Sequence, residues 1–258
     1  MNDFIIDWEK WKQPNPFGIS GCFRLRNEAQ YMERAVKSFL PYLDEACLIV
    51  QPSDDETVEI AERMAQENKK VKVFHYPVVI DWIDTPGFYS KDPHKFGHLV
   101  HMSNWALTRC SYSWIAKVEG DVIALPTFEN IVKEVRSNPD KRIYYGMVIL
   151  NVAGENEDQV SLENPRNGGW DEAVFQNDPS YHFERSQKWE VIQRSGSCKC
   201  MGWTALHMKR CKKNNIGWNG EHYVPRTPEA VAEALRAYNA KHPYDGHDNP
   251  LGEAVLFD

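Results

Sequence analysis

The sequence predicts an α/β fold with a mostly parallel central sheet flanked by helices and a smaller antiparallel C-terminal part. Three observations predict it. Short apolar runs alternate with segments of helical periodicity through residues 17–75, a β-α-β-α-β order that needs right-handed crossovers. Charged and amide residues follow several of those runs directly, where ligands gather beyond the strand ends of an open sheet. The 258 residues, 42% hydrophobic and 26% charged, have the composition of a soluble globular protein. No repeat, low-complexity tract or linker interrupts the chain, so one domain over 1–258 is expected.

The elements follow in order. Phe17–Phe23 reads as a short buried strand. Asn27 is a helix cap with Gln30 three residues on, and Ala29, Met32, Val36, Phe39 and Leu40 share one face. Cys47–Val50 is a second strand. Ser53 and Glu56 have capping-box spacing before a helix with Val58, Ala61 and Ala65 on one side. Val71–His75 is a third strand. Residues 77–97, broken by Pro77, Pro86, Gly87, Pro93 and Gly97, read as a long functional or mobile loop. A helix resumes near His98 with Leu99, Met102, Trp105 and Ala106. Trp114–Val118 is a strand, Phe128 to Val135 a helix, and Ile143–Leu150 another strand. Residues 151–187, rich in Asn, Gly, Asp and Pro, read as an excursion over one face. Lys188–Gln193 and Trp203–Met208 read as paired strands. Thr227-Pro228 opens a helix over 228–241.

Composition excludes several classes of function. The net charge of −7, from 30 basic and 37 acidic residues, argues against strong nonspecific nucleic-acid binding through phosphate neutralisation. The apolar stretches, Met147–Leu150 among the longest, fall far short of the roughly 20 residues of a membrane span, and no secretory leader is recognised before Phe4 and Ile5. Six cysteines at scattered positions, with no Asn-x-Ser/Thr sequon, suit a reducing cytoplasm. Nine tryptophans suit an aromatic-lined pocket or a core rich in large side chains.

Chemistry concentrates at the predicted strand ends: Arg24 and Arg26 after the first, Gln51 after the second, Glu119 and Asp121 after the fourth. The arginines there bind phosphates or pair with the acids. Glu119-Gly120-Asp121 offers two carboxylates to one hard cation, Mg²⁺ or Mn²⁺, which combines few protein ligands with phosphate oxygens; a solvated acidic turn has the same letters. His98 and His101 lie within reach of the same crevice or are buried and hydrogen-bonded. Cys198-x-Cys200, His207 and Cys211 have residue types that suit zinc, but one-residue spacing in the first pair departs from the usual arrangement, and buried small side chains are the simpler reading.

Gly18–Ala29 (GISGCFRLRNEA) resembles the opening strand and R-N-E-A turn of family 2 glycosyltransferases. Ser53–Glu62 (SDDETVEIAE) is similar to their S-T-D-G-T-x-E-I-A segment. Asn104-x-Ala106 and Trp114–Asp121 (WIAKVEGD) resemble their N-x-A helix and the strand that ends in D-x-D. These matches fall in family order over about residues 17–126. The resemblance implies a GT-A (Rossmann-like) fold, a nucleotide-sugar donor such as a UDP- or GDP-sugar, and a divalent metal, manganese or magnesium. It places Phe23, Arg24 and Arg26 beside the nucleoside and diphosphate. Gln51 stands where the family carries a base-contacting aspartate, and Glu119 replaces the first acid of D-x-D. Glu119, Gly120 and His101 then border the donor, and Asp121 holds the metal with Glu119.

The second half, about 127–258, is left to the acceptor, which the sequence does not identify. The family carries its catalytic carboxylate in a G-G-F-D-E…E-D segment. Gly168–Asp178 (GGWDEAVFQND) fits by letters, making Asp178 the base, with Asp171 as alternative. Ile216–Tyr223 (IGWNGEHY) fits by chain order, making Glu221 the base and leaving His222 to complete the metal shell. The expected activity is therefore an inverting, metal-dependent glycosyl transfer. The alternatives are a catalytically degenerate nucleotide- or carbohydrate-binding module and a nucleotidyltransferase; Gly18 and Gly21 do not make a G-x-G-x-x-G phosphate loop.

Overall fold

The computed structural model describes residues 2–81, 83, 85–137, 143–166, 173–187, 189–213, 223–230 and 233. In chain order its elements are α1 (Trp8–Trp11), β1 (Ile19–Leu25), α2 (Met32–Phe39), β2 (Glu45–Val50), α3 (Thr57–Glu67), β3 (Val71–His75), α4 (Pro86–Ser90), α5 (Leu99–Leu107), β4 (Trp114–Glu119), β5 (Val122–Ala124), α6 (Phe128–Ser137), β6 (Ile143–Ala153), β7 (Gln159–Arg166), β8 (Ala173–Gln176), β9 (His182–Arg185), β10 (Glu190–Gln193), β11 (Ser197–Arg210) and β12 (Tyr223–Pro225).

Apolar runs without polar alternation fold as strands covered on both faces. β1 pairs in parallel with β2 and with β4, and β2 in parallel with β3. The chain thus runs outward from β1 to β3, returns through α4 and α5, and enters β4 on the other side of β1. β8 pairs antiparallel with both β4 and β6, while β6 and β11 run parallel. Among the described residues the main sheet has ten strands, and β9 and β10 form a separate antiparallel pair. This is the expected mixed architecture, with a mostly parallel centre and a smaller antiparallel part.

Strand alternation divides the core into two layers. Phe23, Leu48 and Val118 face α2, α3 and α6, where Met32, Val36, Phe39, Met64, Phe128 and Ile131 pack against them. Cys22, Cys47, Ile49 and Ile115 face the other way, toward α5, Trp11, Phe88 and Phe183. In the first layer Phe39 makes edge-on contacts with Phe23 and Phe128, at 6.0 and 4.9 Å between ring centroids.

Several local expectations are revised. Asn27 does not cap α2. Its backbone is left-handed (φ 56°), its N–H donates to Ser53 Oγ, and its Oδ1 accepts from the Asp54 N–H. Ser53 is thereby drawn into this loop contact instead of capping α3, while Asp55 Oδ1 accepts from the Thr57 N–H at 3.0 Å. The excursion at 151–187 contains β7, β8 and β9. The pair expected between 188–193 and 203–208 is absent: β10 pairs with β9, and β11 with β5 and β6. Of the C-terminal helix only its start is described, where Thr227 Oγ1 accepts from the Ala230 N–H at 3.2 Å. No helix among the described residues is long and apolar enough to cross a membrane.

Glu45 secures the end of the sheet opposite the strand carboxyl ends. It is buried, and its carboxylate accepts from Ser20 Oγ (2.7 Å), the Ser111 N–H and Lys72 Nζ. Burial alone raises a carboxyl pKa. Lys72, the Ser111 amide and Ser20 outweigh it, so Glu45 lies below its ordinary 4.5. Its stabilising contribution is complete above the unfolded-state pKa and is lost as pH falls through the depressed folded one. Urea denaturation from about pH 7 down to about pH 3 is expected to show Glu45→Gln less stable than the native chain near neutrality, with the gap closing toward acid. A gap constant across that range excludes this role for Glu45.

Candidate functional site

The site forms where β4 leaves the sheet. Arg24 on β1 pairs with Glu119 on β4 in the parallel register, so both side chains start from the α5 face at the carboxyl ends of adjacent strands. The chain then turns through Gly120 into β5. A Cβ on Gly120 would lie 2.7 Å from Leu25 Cδ2 and 2.8 Å from Glu28 Cγ. Glycine here permits the close approach of the β1 end; the structure gives Gly120 this packing role. β5 pairs antiparallel with β11 in the register His207–Val122, and the Met208 N–H donates to the Asp121 carbonyl at 2.9 Å. That pairing delivers His207, some ninety positions downstream, to the acidic turn.

Glu119, Asp121 and His207 each offer a ligand atom, all within 4.8 Å of one another, the only such cluster of three among the described residues. His207 Nε2 lies 3.4 Å from Asp121 Oδ1 and 3.9 Å from Glu119 Oε2. The imidazole is 1% exposed, and Nε2 has no hydrogen-bond partner. Nδ1 lies 3.0 Å from Asn151 Oδ1; an amide oxygen only accepts, so this contact places a proton on Nδ1 and turns Nε2, the nitrogen left to face a ligand, toward the carboxylates.

Lys212, just past β11, closes the other side. Its Nζ is 2.6 Å from Asp121 Oδ2 and 2.8 Å from Glu28. Burial works to raise the Asp121 pKa, but His207 and Lys212 overcome it and hold the carboxyl well below its usual range. Glu28 is pushed up to about 8, by burial first and then by the negative charge of Asp121, against the pull of Lys212. Lys117, also 1% exposed, reaches within 3.8 Å of Glu119. The site is thus a buried acidic centre with a lysine seated on its Asp121–Glu28 side and the His207 imidazole on the other.

The remaining sequence candidates are dispersed. Phe23 is fully buried in the helix-facing layer against Phe39 and does not reach the crevice, because its strand position alternates away from Arg24. Arg24 is committed to an internal ion pair with Glu190; its Nη1 donates to Ser103 Oγ at 2.5 Å, and its guanidinium lies 5.3 Å from the Phe183 ring centroid. Arg26 is half-buried, has no carboxylate partner among the described residues, and keeps its Nε buried without a hydrogen bond. Gln51 is buried after β2 and accepts from the Ile80 N–H at 3.2 Å, which ties residues 77–97 to the sheet. His101 is buried with Nδ1 3.0 Å from the Tyr76 hydroxyl. His98 caps α5, its Nδ1 accepting from the Val100 N–H and its Nε2 meeting the Phe88 carbonyl; burial lowers the pKa of both histidines.

Asp178 lies at the opposite end of the sheet. β8 runs against β4 with Gln176 beside Trp114, the first residue of β4, so Asp178 is separated from Glu119 by about the length of that strand, roughly 17 Å. Its Oδ1 accepts from the Ser180 N–H at 2.8 Å, holding a turn. Asp171, Glu221 and His222 lie outside the described residues. The four-residue zinc grouping does not assemble: His207 joins the carboxylates, Cys211 is buried beside Tyr31, and Cys198 and Cys200 face each other elsewhere on β11.

No family model and no curated protein matches the chain. Solved structures do. Staphylococcus aureus TarS 1–349 in complex with UDP-GlcNAc is 16% identical, with a TM-score of 0.49 over 86% of this chain and 66% of that one. Glucosyl-3-phosphoglycerate synthase from Mycobacterium tuberculosis, in complex with Mn²⁺, UDP-glucose and phosphoglyceric acid, is 15% identical, with a TM-score of 0.38 over 55% of this chain and 47% of that one. The chain spans less than two thirds of the length of either.

The Arg24–Glu190 pair gives a direct test of where Arg24 acts. The side chains of Arg24 and Glu190 are 12% and 6% exposed, and breaking such a pair from one side leaves an uncompensated buried charge. Glu190→Gln is expected to cost about 3–5 kcal/mol in chemical denaturation. A cost within the roughly 0.5 kcal/mol of an ordinary surface change shows that Arg24 does not depend on this partner.

Proposed function

We propose that this chain transfers a sugar from a nucleotide-sugar donor to an acceptor hydroxyl. The observation that carries the proposal is the Glu119–Asp121–His207 cluster, at the carboxyl end of β4 and beside the β1–β4 switch in strand order. Its sequence neighbourhood, with the ordered motifs from Gly18 to Asp121, supports a UDP- or GDP-sugar as donor. His207 takes the metal-ligand place that the resemblance assigned to His222.

The donor set fits a divalent ion. Two carboxylates beside one imidazole suit a divalent ion such as manganese, and the buried Nε2 of His207, which has no hydrogen-bond partner, is the nitrogen turned toward it. A divalent ion held there supplies positive charge to a leaving diphosphate. The chain's own residues do the rest of the binding. Asn151 orients the His207 ring, Lys212 fixes Asp121 from the opposite side, and Arg26 contributes a guanidinium beyond β1 for the phosphates. We assign Gln51 to the nucleoside end of the same crevice. Glu221 and Asp171 remain the proposed bases for the acceptor hydroxyl, and an inverting outcome goes with them. The donor half, about 17–126, and the acceptor half, about 127–258, belong to one proposed domain over 1–258, because β11 of the second half completes the metal shell of the first. A cytoplasmic setting suits a protein whose six cysteines form no disulfide.

A second reading is favoured by one observation: Arg24 is already neutralised by Glu190 and Asp121 is already held by Lys212, as in a site that binds without turnover. Hydrolysis of a nucleotide sugar that depends on Mn²⁺ separates the two, since a degenerate module binds without releasing sugar.

Two substitutions test the assignment. Asp121→Asn is expected to abolish transfer and the Mn²⁺-dependent thermal shift with nucleoside diphosphate while the chain stays folded; full activity in that variant removes the metal site. Asn151→Ala leaves all three ligands but frees the imidazole ring, and Mn²⁺ affinity read by electron paramagnetic resonance is expected to fall about 10–100-fold. An unchanged affinity means that Asn151 does not set the His207 tautomer.

A further inference from the structure

β11 enters the sheet through Ser197, and its second and fourth residues are cysteines. Alternate residues of a strand share a face, and Cys198 Sγ lies 3.9 Å from Cys200 Sγ with no disulfide between them. Lys199, between them, turns the other way and pairs with Glu134 at 2.8 Å. Cys22, Cys47, Cys110 and Cys211 are buried, whereas Cys198 and Cys200 are both partly open to solvent. The register of β11 against β6 slips just after Cys200, so the strand is not held in a regular ladder on that side of the pair.

We propose that Cys198 and Cys200 are a peroxide-oxidisable dithiol that closes reversibly to a disulfide. Cys198 is the attacking sulfur. Its pKa is lowered to about 6, chiefly by the Cys200 thiol and against the effect of burial, with help from the Tyr144 hydroxyl, the Gly146 backbone and the charge of Arg194. The thiolate attacks one peroxide oxygen and the O–O bond breaks, giving the Cys198 sulfenic acid while the other oxygen leaves with a proton as water or alcohol. The Cys200 sulfur then attacks the Cys198 sulfur, the S–O bond breaks, and water departs. Two thiols lose two electrons in total to one peroxide. Alternate residues of a strand place their Cα atoms about 6.6–6.8 Å apart, at the long end of the range that disulfides span, so a thiol reductant reopens the link readily.

The test uses the whole chain. Trypsin cuts after Arg194, Lys199 and Lys209, placing Cys198 on peptide 195–199 and Cys200 on peptide 200–209. After brief exposure to hydrogen peroxide these peptides are expected to remain joined, or to appear uncut and two hydrogens lighter. Iodoacetamide labelling of Cys198 is expected to fall at least about tenfold and to recover with dithiothreitol. In Cys200→Ser, compared once its far-UV spectrum matches the native one, closure is impossible and dimedone should trap Cys198. The proposal is overturned if both cysteines stay fully alkylatable after peroxide, if the native chain accumulates dimedone-reactive Cys198 without the joined peptide, or if Cys198 links to another cysteine. None of these readings depends on glycosyl transfer.

Discussion

The parallel pairing of β1 with β2 on one edge and β4 on the other is the constraint from which the rest of the molecule follows. It forces the chain to leave β3 and cross back over the sheet, which is why α5 and residues 77–97 lie on the face they do. It also brings the ends of two separate strands side by side, so that Arg24 is the register partner of Glu119. A crevice beyond those ends follows from topology before any side chain is considered. Glu119 and Asp121 reach the site at the end of β4, whose place that pairing sets, while His207 and Lys212 reach it from β11, which pairs with β5 and β6.

Within the crevice, electrostatics decides what each group can do. Buried charge survives only when it is paired or coordinates an ion. Arg24 meets that condition through Glu190, which removes it from the list of cations available to a ligand. Asp121 meets it through Lys212 on one oxygen and His207 on the other. Glu28, the other partner of Lys212, sits among like charges and takes up a proton at a pH where a solvated glutamate would not. Arg26 alone, of the two arginines after β1, has no acid assigned to it among the described residues.

Much of this was readable from the chain itself. The five elements from β1 to β3 were legible because their periodicities are strong and the strands lack polar interruption, whereas α1 ahead of them was not read. Caps were less so, since Asn27 and Ser53 can bond to each other as well as to helix ends, and the tertiary contact won. β7 was hidden because Gln159–Arg166 mixes charge, amide and proline in an edge-paired segment, a composition that reads as loop. Glu119 and Asp121 announced themselves by position. His207 was read only within a zinc grouping with Cys198, Cys200 and Cys211, and nothing local says that Val122 would be its neighbour. Glu28 lies within the R-N-E-A turn but was given no role there, and Asn151 and Lys212 carry no motif; only long-range pairing brings the last two to the acidic turn. Phe23 and Arg24 stood next to each other in the motif and went to opposite faces, which is the strand period at work.

The pairing of β5 with β11 also orders events in time. A chain emerging from the ribosome has Glu119 and Asp121 long before His207 and Lys212 exist, and the β1–β4 ladder needs nothing from the later sequence to form its hydrogen bonds. During that interval two carboxylates stand at a strand end without the imidazole or the ammonium that later balances them. Closure of β11 against β5 and β6 is therefore both a folding step and the step that completes the Glu119–Asp121–His207 cluster. A nascent chain that has not reached residue 207 lacks both His207 and Lys212, so the acidic turn gains its partners only when the last large strand docks.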